Sequence, residues 1–194
     1  EAVAMGEKAD SLQETIEIPL DKRIKFRNTY CAVLTSCNLH DLVPALAKEY
    51  LPEARLLGDK HIEANLVSRL VNSYRGLGEL DSALVYVHKM SDLLPELNST
   101  TFSSIYYSNA ASVYFDMGET ARAKELLRLG LQFAKRHSSQ LSVHIKSVNL
   151  GIIEMSDSNF VRSIDLLEPP LKFFEKGQRL DVLSNIYPAL SKSY

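Results

Sequence analysis

The chain has 194 residues, 45% of them hydrophobic and 24% charged, with a formal net charge of −2. This is the composition of a soluble chain long enough for one sizeable core. It lacks the basic excess of a nucleic-acid binder, the roughly 18 apolar residues of a membrane span, and any opening stretch that reads as a signal peptide. In chain order, a leading helix over residues 1–13 is followed by segments whose apolar residues recur at helical spacing, with few strand signals. The spacing predicts helices at about 21–36 and 40–56, 61–76 and 80–94, 101–116 and 119–136, 141–156 and 160–175, and a last one from about 180. A turn is expected at Leu57-Gly58-Asp59-Lys60, with linkers at 96–100 and 137–140. Asn98, Ser99 or Thr100, and Ser138 or Ser139, are the expected caps. Pro44 sits in a first turn, where proline is tolerated. Pro52, Pro169, Pro170 and Pro188 fall inside helices and are expected to kink or end them.

The segments are related by a period of 40 residues. Leu77-Gly78-Glu79-Leu80-Asp81-Ser82-Ala83 recurs as Met117-Gly118-Glu119-Thr120-Ala121-Arg122-Ala123, and then as Asp157-Ser158-Asn159-Phe160-Val161-Arg162-Ser163. The same register going back gives Cys37-Asn38-Leu39-His40-Asp41-Leu42-Val43. Such self-similarity signifies a stacked array of supersecondary units. Its columns have physical meaning. Four residues before the glycine position stand Leu34, Tyr74, Tyr114, Glu154 and Tyr194; eight before it stand Tyr30, Leu70, Ala110, Leu150 and Leu190. Small residues fill two other columns: Cys31, Val71, Ala111, Gly151 and Ser191, and then Val43, Ala83, Ala123 and Ser163. Spacings of three and four place them on one helix stripe, where small side chains let helix backbones approach and large ones fill the groove.

The run Leu70-x3-Tyr74-x3-Gly78-x4-Ala83, with Pro95 after the second helix, resembles a tetratricopeptide repeat, and Tyr114, Gly118 and Ala123 repeat it. The first unit lacks the glycine. The fourth has Glu154 in place of the aromatic and Pro169-Pro170 in its second helix. The resemblance spans almost the whole chain at 40 residues per unit, longer than the usual 34, like the long repeats of bacterial sensor arrays. It implies an all-α right-handed superhelix, an α-solenoid, forming a single repeat domain over 1–194. Its units would be a partial one over 1–20, repeats at about 21–60, 61–100, 101–140 and 141–179, and a partial one over 180–194. A start at Glu1 without methionine, and a stop at Tyr194 in the aromatic column, make a fragment of a longer protein the expectation.

Little in the chain suggests covalent chemistry. Cys31 and Cys37, about 9 Å apart on one helix, are beyond disulfide reach and are expected to be two buried structural thiols. The histidines His40, His61, His88, His137 and His144 form no metal-binding pattern. No nucleophile elbow, phosphate loop or dinucleotide fingerprint occurs. The expectation is a non-enzyme with no catalytic residue, no metal and no cofactor. The cluster Lys22-Arg23-Ile24-Lys25-Phe26-Arg27 is expected to be an exposed helix face.

One polar column remains. Arg69, Asn109 and Asn149 stand nine residues before the glycine position, Asn72 and Ser112 six before it, and Arg75 three before it. At 100° per residue they point away from the Tyr and Leu columns. An amide matches the donors and acceptors of an extended peptide backbone, and an arginine holds a carboxylate. In tetratricopeptide arrays the first helices line the concave face, so the resemblance implies that Arg69, Asn72, Arg75, Asn109, Ser112 and Asn149 line a ligand groove. The two-carboxylate clamp of chaperone-binding members is absent, since Ser68, Ser108 and Val148 replace its residues. The expected function is protein or peptide binding as the signal-input region of a longer bacterial signalling protein of the diguanylate cyclase or histidine kinase type. A structural adaptor or assembly scaffold, and the sensing domain of a cytoplasmic transcription regulator, are the alternatives. Neither nucleic acid nor membrane is an expected partner of this segment. An exposed stripe near Tyr187, Leu190 and Tyr194 suggests a homodimer through end helices. The compartment, periplasmic or cytoplasmic, is open.

Overall fold

Local chemistry sets each helix boundary. In the computed structural model, which describes residues 2–15, 18–137 and 139–193, ten helices and no strand occur among the described residues. They are α1 (Ala2–Thr15), α2 (Leu20–Ser36), α3 (Val43–Leu57), α4 (Lys60–Gly76), α5 (Leu80–Leu97), α6 (Thr100–Asp116), α7 (Thr120–Arg136), α8 (Gln140–Ser156), α9 (Phe160–Lys176) and α10 (Leu180–Ser193). Gly58 ends α3 in the left-handed region at φ 72°, and the Asp59 carboxylate then caps α4, accepting from the amides of His61 and Ile62 at 3.0 and 3.1 Å. Ser99 and Ser139 cap α6 and α8 through their hydroxyls, accepting from the amides of Phe102 and Ser142. The cap expected at Ser138 lies outside the described residues.

The 40-residue period is visible in the backbone. Asn38, Gly78, Gly118 and Ser158 all have positive φ, of 59°, 76°, 81° and 61°. In every case the next amide donates to the carbonyl of the residue four before that position. These bonds run from Leu39 to Leu34, Glu79 to Tyr74, Glu119 to Tyr114 and Asn159 to Glu154, at 2.8–3.0 Å. They satisfy a carbonyl that the helix end leaves without an intrahelical donor.

The chain forms two compact units, Glu1–Phe102 and Ser103–Tyr194. In the first, α2 packs on α3, α3 on α4, α4 on α5, and α2 directly on α4. In the second, α7 packs on α8, α8 on α9, α9 on α10, and α8 directly on α10. Contact between successive first helices, besides contact within each hairpin, is the arrangement of an α-solenoid. The core columns are where the sequence puts them: Leu34, Tyr74, Tyr114 and Glu154 are buried, as are Tyr30, Leu70, Ala110, Leu150 and Leu190. The small columns are buried too, except for Ser191 near the end of α10, which is exposed. A Cβ on Gly151 would lie 2.7 Å from Leu167, so α8 and α9 need a hydrogen there. Ser163, opposite, satisfies its buried hydroxyl by donating to the Gly151 carbonyl at 2.9 Å.

Four expectations are corrected. Pro95 is in the last turn of α5 rather than after it, while Pro52, Pro169, Pro170 and Pro188 lie inside helices as expected and do not end them. Proline in a helix interior costs about 3 kcal/mol. Buried neighbours on both sides, such as Leu51 and Ala54 around Pro52, hold the segment in place. Cys37 is exposed at the C-cap of α2, and only Cys31 is buried. Arg27 does not belong to an exposed face. It is 3% exposed, stacked 4.5 Å over the Tyr50 ring and bonded to Asp10 and Glu53 at 2.8 Å each. The Tyr50 hydroxyl also donates to Asp10, so this network clips α1 onto α2 and α3. Finally, Leu190 is buried in a cluster with Leu167, Phe174 and Ile186, and so is not part of an exposed stripe; Tyr187 is exposed, and Tyr194 lies outside the described residues.

The turn positions generate a test. A non-glycine residue in the left-handed region is strained by roughly 1 kcal/mol. Ser158→Gly should therefore raise unfolding stability by about 0.5–1 kcal/mol, and Gly118→Ser should lower it by a similar amount, both read from urea denaturation midpoints.

Candidate ligand-binding surface

The six residues of the polar column lie on first helices. Arg69, Asn72 and Arg75 follow one another on α4, in the first unit; Asn109 and Ser112 are on α6 and Asn149 on α8, in the second. Arg75 is exposed and the other five are half-buried, whereas their helix neighbours Leu70, Tyr74, Ala110, Val113 and Leu150 are buried. Within each unit these residues occupy a face that the core does not use. Surface hollows of about 450 and 440 Å³ occur in the second unit, one around the α8–α9 turn and the other between Ala134 and His144. Neither is lined by Asn109, Ser112 or Asn149.

Arg69 is the chemically unusual member. Its Nε is buried without a hydrogen-bond acceptor, and no carboxylate pairs with it among the described residues. Burial holds its guanidinium below the ordinary arginine value, with the nearby Cys31 thiol opposing. The effect on Cys31 is larger: burial pushes that thiol up to about 12, which makes it inert. A half-buried guanidinium with no acceptor leaves a desolvation cost unmatched. An anion bound there would relieve it, and a planar carboxylate fits the fork.

The structure also explains a departure from the repeat. In the second and third repeats, a cation covers the aromatic column: Lys48 lies 5.2 Å from the centre of the Tyr74 ring, and Arg122 lies 4.0 Å from that of Tyr114. In the fourth repeat the column holds Glu154. The matching cations, Arg128 and Arg162, pair with its carboxylate at 3.5 and 3.4 Å. Arg128 precedes Glu154 by the same interval as Lys48 precedes Tyr74, and Arg162 follows Glu154 as Arg122 follows Tyr114. A ring face and a carboxylate are both negative partners, so one column accepts either. Lys124 at 2.6 Å and Asn159 at 2.9 Å complete the shell. Burial would raise the Glu154 carboxyl, but the Lys124 and Asn159 hydrogen bonds and the surrounding cations outweigh it and hold it below the usual range.

A second charged side chain occupies an apolar column. Lys146 stands where earlier repeats have Phe26, Leu66 and Tyr106, and is 1% exposed. Its ammonium contacts the Ser104 carbonyl at 3.0 Å, the Ser104 hydroxyl at 2.6 Å and the Ser108 hydroxyl at 3.4 Å. The sequence signal for both residues is the same: a charge where its column is otherwise apolar or aromatic.

No family model matches the chain, and no curated protein sequence matches it significantly. Solved structures do match. One is a Signal Transduction ATPase with Numerous Domains (STAND) protein with a tetratricopeptide repeat sensor, from Pyrococcus horikoshii. It aligns over 90% of this chain at 17% identity, with a TM-score of 0.74. Another is BtubC (BKLC) from P. vanneervenii, aligned over 99% of this chain at 18% identity, with a TM-score of 0.69. This chain spans 26% of the STAND protein's length and 84% of BtubC's. At these identities the likeness shows the fold: helical repeats of tetratricopeptide type.

The Glu154 shell sets a pH-dependent stability. Because its folded pKa lies below the unfolded value, the shell's contribution is complete above about pH 4.3 and is lost as pH falls through the folded pKa. Glu154→Gln should lower unfolding stability by about 2–3 kcal/mol at pH 7, since Lys124, Arg128 and Arg162 then lose their buried partner. The difference from wild type should shrink at pH 3, in parallel urea titrations.

Proposed function

We propose that the chain is a non-enzymatic binding module that takes an extended peptide or protein segment along its first helices. Arg69 carries this reading. It offers a desolvated, unpaired guanidinium on a polar face, with Asn72 and Arg75 at the following turns of the same helix. In the second unit Asn109, Ser112 and Asn149 offer amide and hydroxyl groups on equivalent columns. On the first unit an acidic side chain of a peptide satisfies the arginine, and on the second unit a peptide backbone meets the amides.

We further propose that the module is the signal-input region of a longer signalling protein. The resemblance to a STAND protein that carries a tetratricopeptide repeat sensor supports that reading. Ligand binding tightens the array and biases an attached output domain by the difference in affinity between its two states. The bacterial setting and a cyclase or kinase output belong to the same proposal.

The test uses an immobilised library of random twelve-residue peptides. Wild-type protein should enrich peptides carrying aspartate or glutamate. Arg69→Gln should weaken binding of the best peptide about tenfold, and Asn109→Ala with Asn149→Ala should cost 1–3 kcal/mol. Equal affinity in all three proteins would refute the assignment of this face.

A further inference from the structure

The surroundings of Lys146 differ from those of every other buried charge described above. Arg27 and Glu154 each sit between partners of opposite sign. Lys146 has no carboxylate partner among the described residues; its neighbours are one carbonyl and two hydroxyls. Its stem is fixed as well. On α7, a Cβ at Gly130 would lie 2.7 Å from the Lys146 Cε and 2.7 Å from the Tyr107 Cβ, so the lysine threads a gap that only glycine leaves open.

The Lys146 Nζ donates to the Ser104 carbonyl, the Ser104 hydroxyl and the Ser108 hydroxyl, and the Ser104 hydroxyl in turn donates to Ser142. Once the amine is neutral, two N–H groups serve the Ser104 carbonyl and the Ser108 hydroxyl, and rotation of the Ser104 hydroxyl away from Ser142 turns its proton toward the Nζ lone pair 2.6 Å away. Ser104 is half-buried, unlike the lysine behind it, and its Oγ is also 3.0 Å from the half-buried Ser142 Oγ. A buried amine behind a more accessible serine hydroxyl is the arrangement a serine–lysine nucleophile requires.

We propose that Ser104 is a reactive serine, with Lys146 as its base and Ser142 as a positioning residue, and that it accepts an acyl group from an activated ester. In this step the Ser104 Oγ forms a bond to the ester carbonyl carbon while its proton passes to the Lys146 Nζ. The carbon–oxygen bond to the leaving alcohol breaks, and the Lys146 ammonium returns a proton to that alcohol. The product is an ester on Ser104. Burial favours the neutral amine by lowering the lysine from its ordinary value to about 8. Among the described residues, Ser104 and Ser108 on α6 bond its Nζ, Tyr107 on α6 and Gly130 on α7 flank its stem, and no ionised side chain pairs with it, so burial alone sets that shift. This chemistry does not depend on the peptide-binding reading, which uses other residues.

The probe is 4-nitrophenyl acetate, followed by intact-mass spectrometry and peptide mapping across pH 6–9. The expected result is one hydroxylamine-labile acetyl group on Ser104, with a labelling rate that rises with pH and levels off near 8 to 9. Lys146→Met should slow labelling of Ser104 roughly a hundredfold. Ser142→Ala, which keeps the lysine, should label Ser104 more slowly but level off at the same pH as wild type, and Ser142→Thr, which keeps the hydroxyl, should recover the rate. If Lys146→Met does not fold, the wild-type profile and the mapped site decide the matter. An adduct on Lys146 instead of Ser104, no adduct on Ser104, or a rate independent of pH over this range would overturn the proposal.

Discussion

Every hairpin of the fold rests on one closure. At the end of each first helix a residue enters the left-handed region, and the next amide bonds back to a carbonyl five residues earlier. That bond fixes the angle at which the second helix leaves. Because the accepting residue is also the one whose side chain occupies the aromatic column, the turn and the core are coupled at one position. Tyr74, Tyr114 and Glu154 each present a carbonyl to the turn and a side chain to the neighbouring cations. The constraint explains why the period is so evident: a shift of one residue would remove both interactions together.

Within this frame the column specifies charge complementarity more strictly than residue type. A tyrosine ring under Arg122 and a carboxylate beside Arg162 serve the same geometry. The substitution changes how stability depends on pH, because a carboxylate titrates and a ring face does not. Polar groups elsewhere in the core are treated alike: Ser163 replaces alanine and is satisfied by a carbonyl, and Arg27 is held by two carboxylates. Among the described residues, Arg69 and Lys146 are a half-buried and a buried cation without a carboxylate partner, and the proposed chemistry therefore falls on them.

Much of the architecture was legible in the sequence because it is periodic. Helix boundaries, the left-handed turns and the buried columns follow from spacings of three, four and 40 along the chain. What was not legible depended on contacts across the period. Nothing local to Lys22–Arg27 says that Asp10 and Glu53 will enclose Arg27, since those partners come from other helices. That the helices continue past their prolines was not legible, because propensity is local whereas the packing that overrides it is tertiary. The candidate face was legible as a set of polar columns. The absence of an acceptor for Arg69, which gives that face its chemistry, appears only once the helices are packed.

Hydrogen exchange followed by NMR tests the closure most directly, at the amides of Leu39, Glu79, Glu119 and Asn159. These four lie at turns, where exchange is ordinarily fast. If each donates to its column carbonyl, all four will exchange far more slowly than exposed turn amides, and Asn38 and Ser158 will show left-handed backbone shifts. Exchange at unstructured-peptide rates in any of the four would mean that the hairpins are not closed in this way, and the common register of the repeats would fail with them.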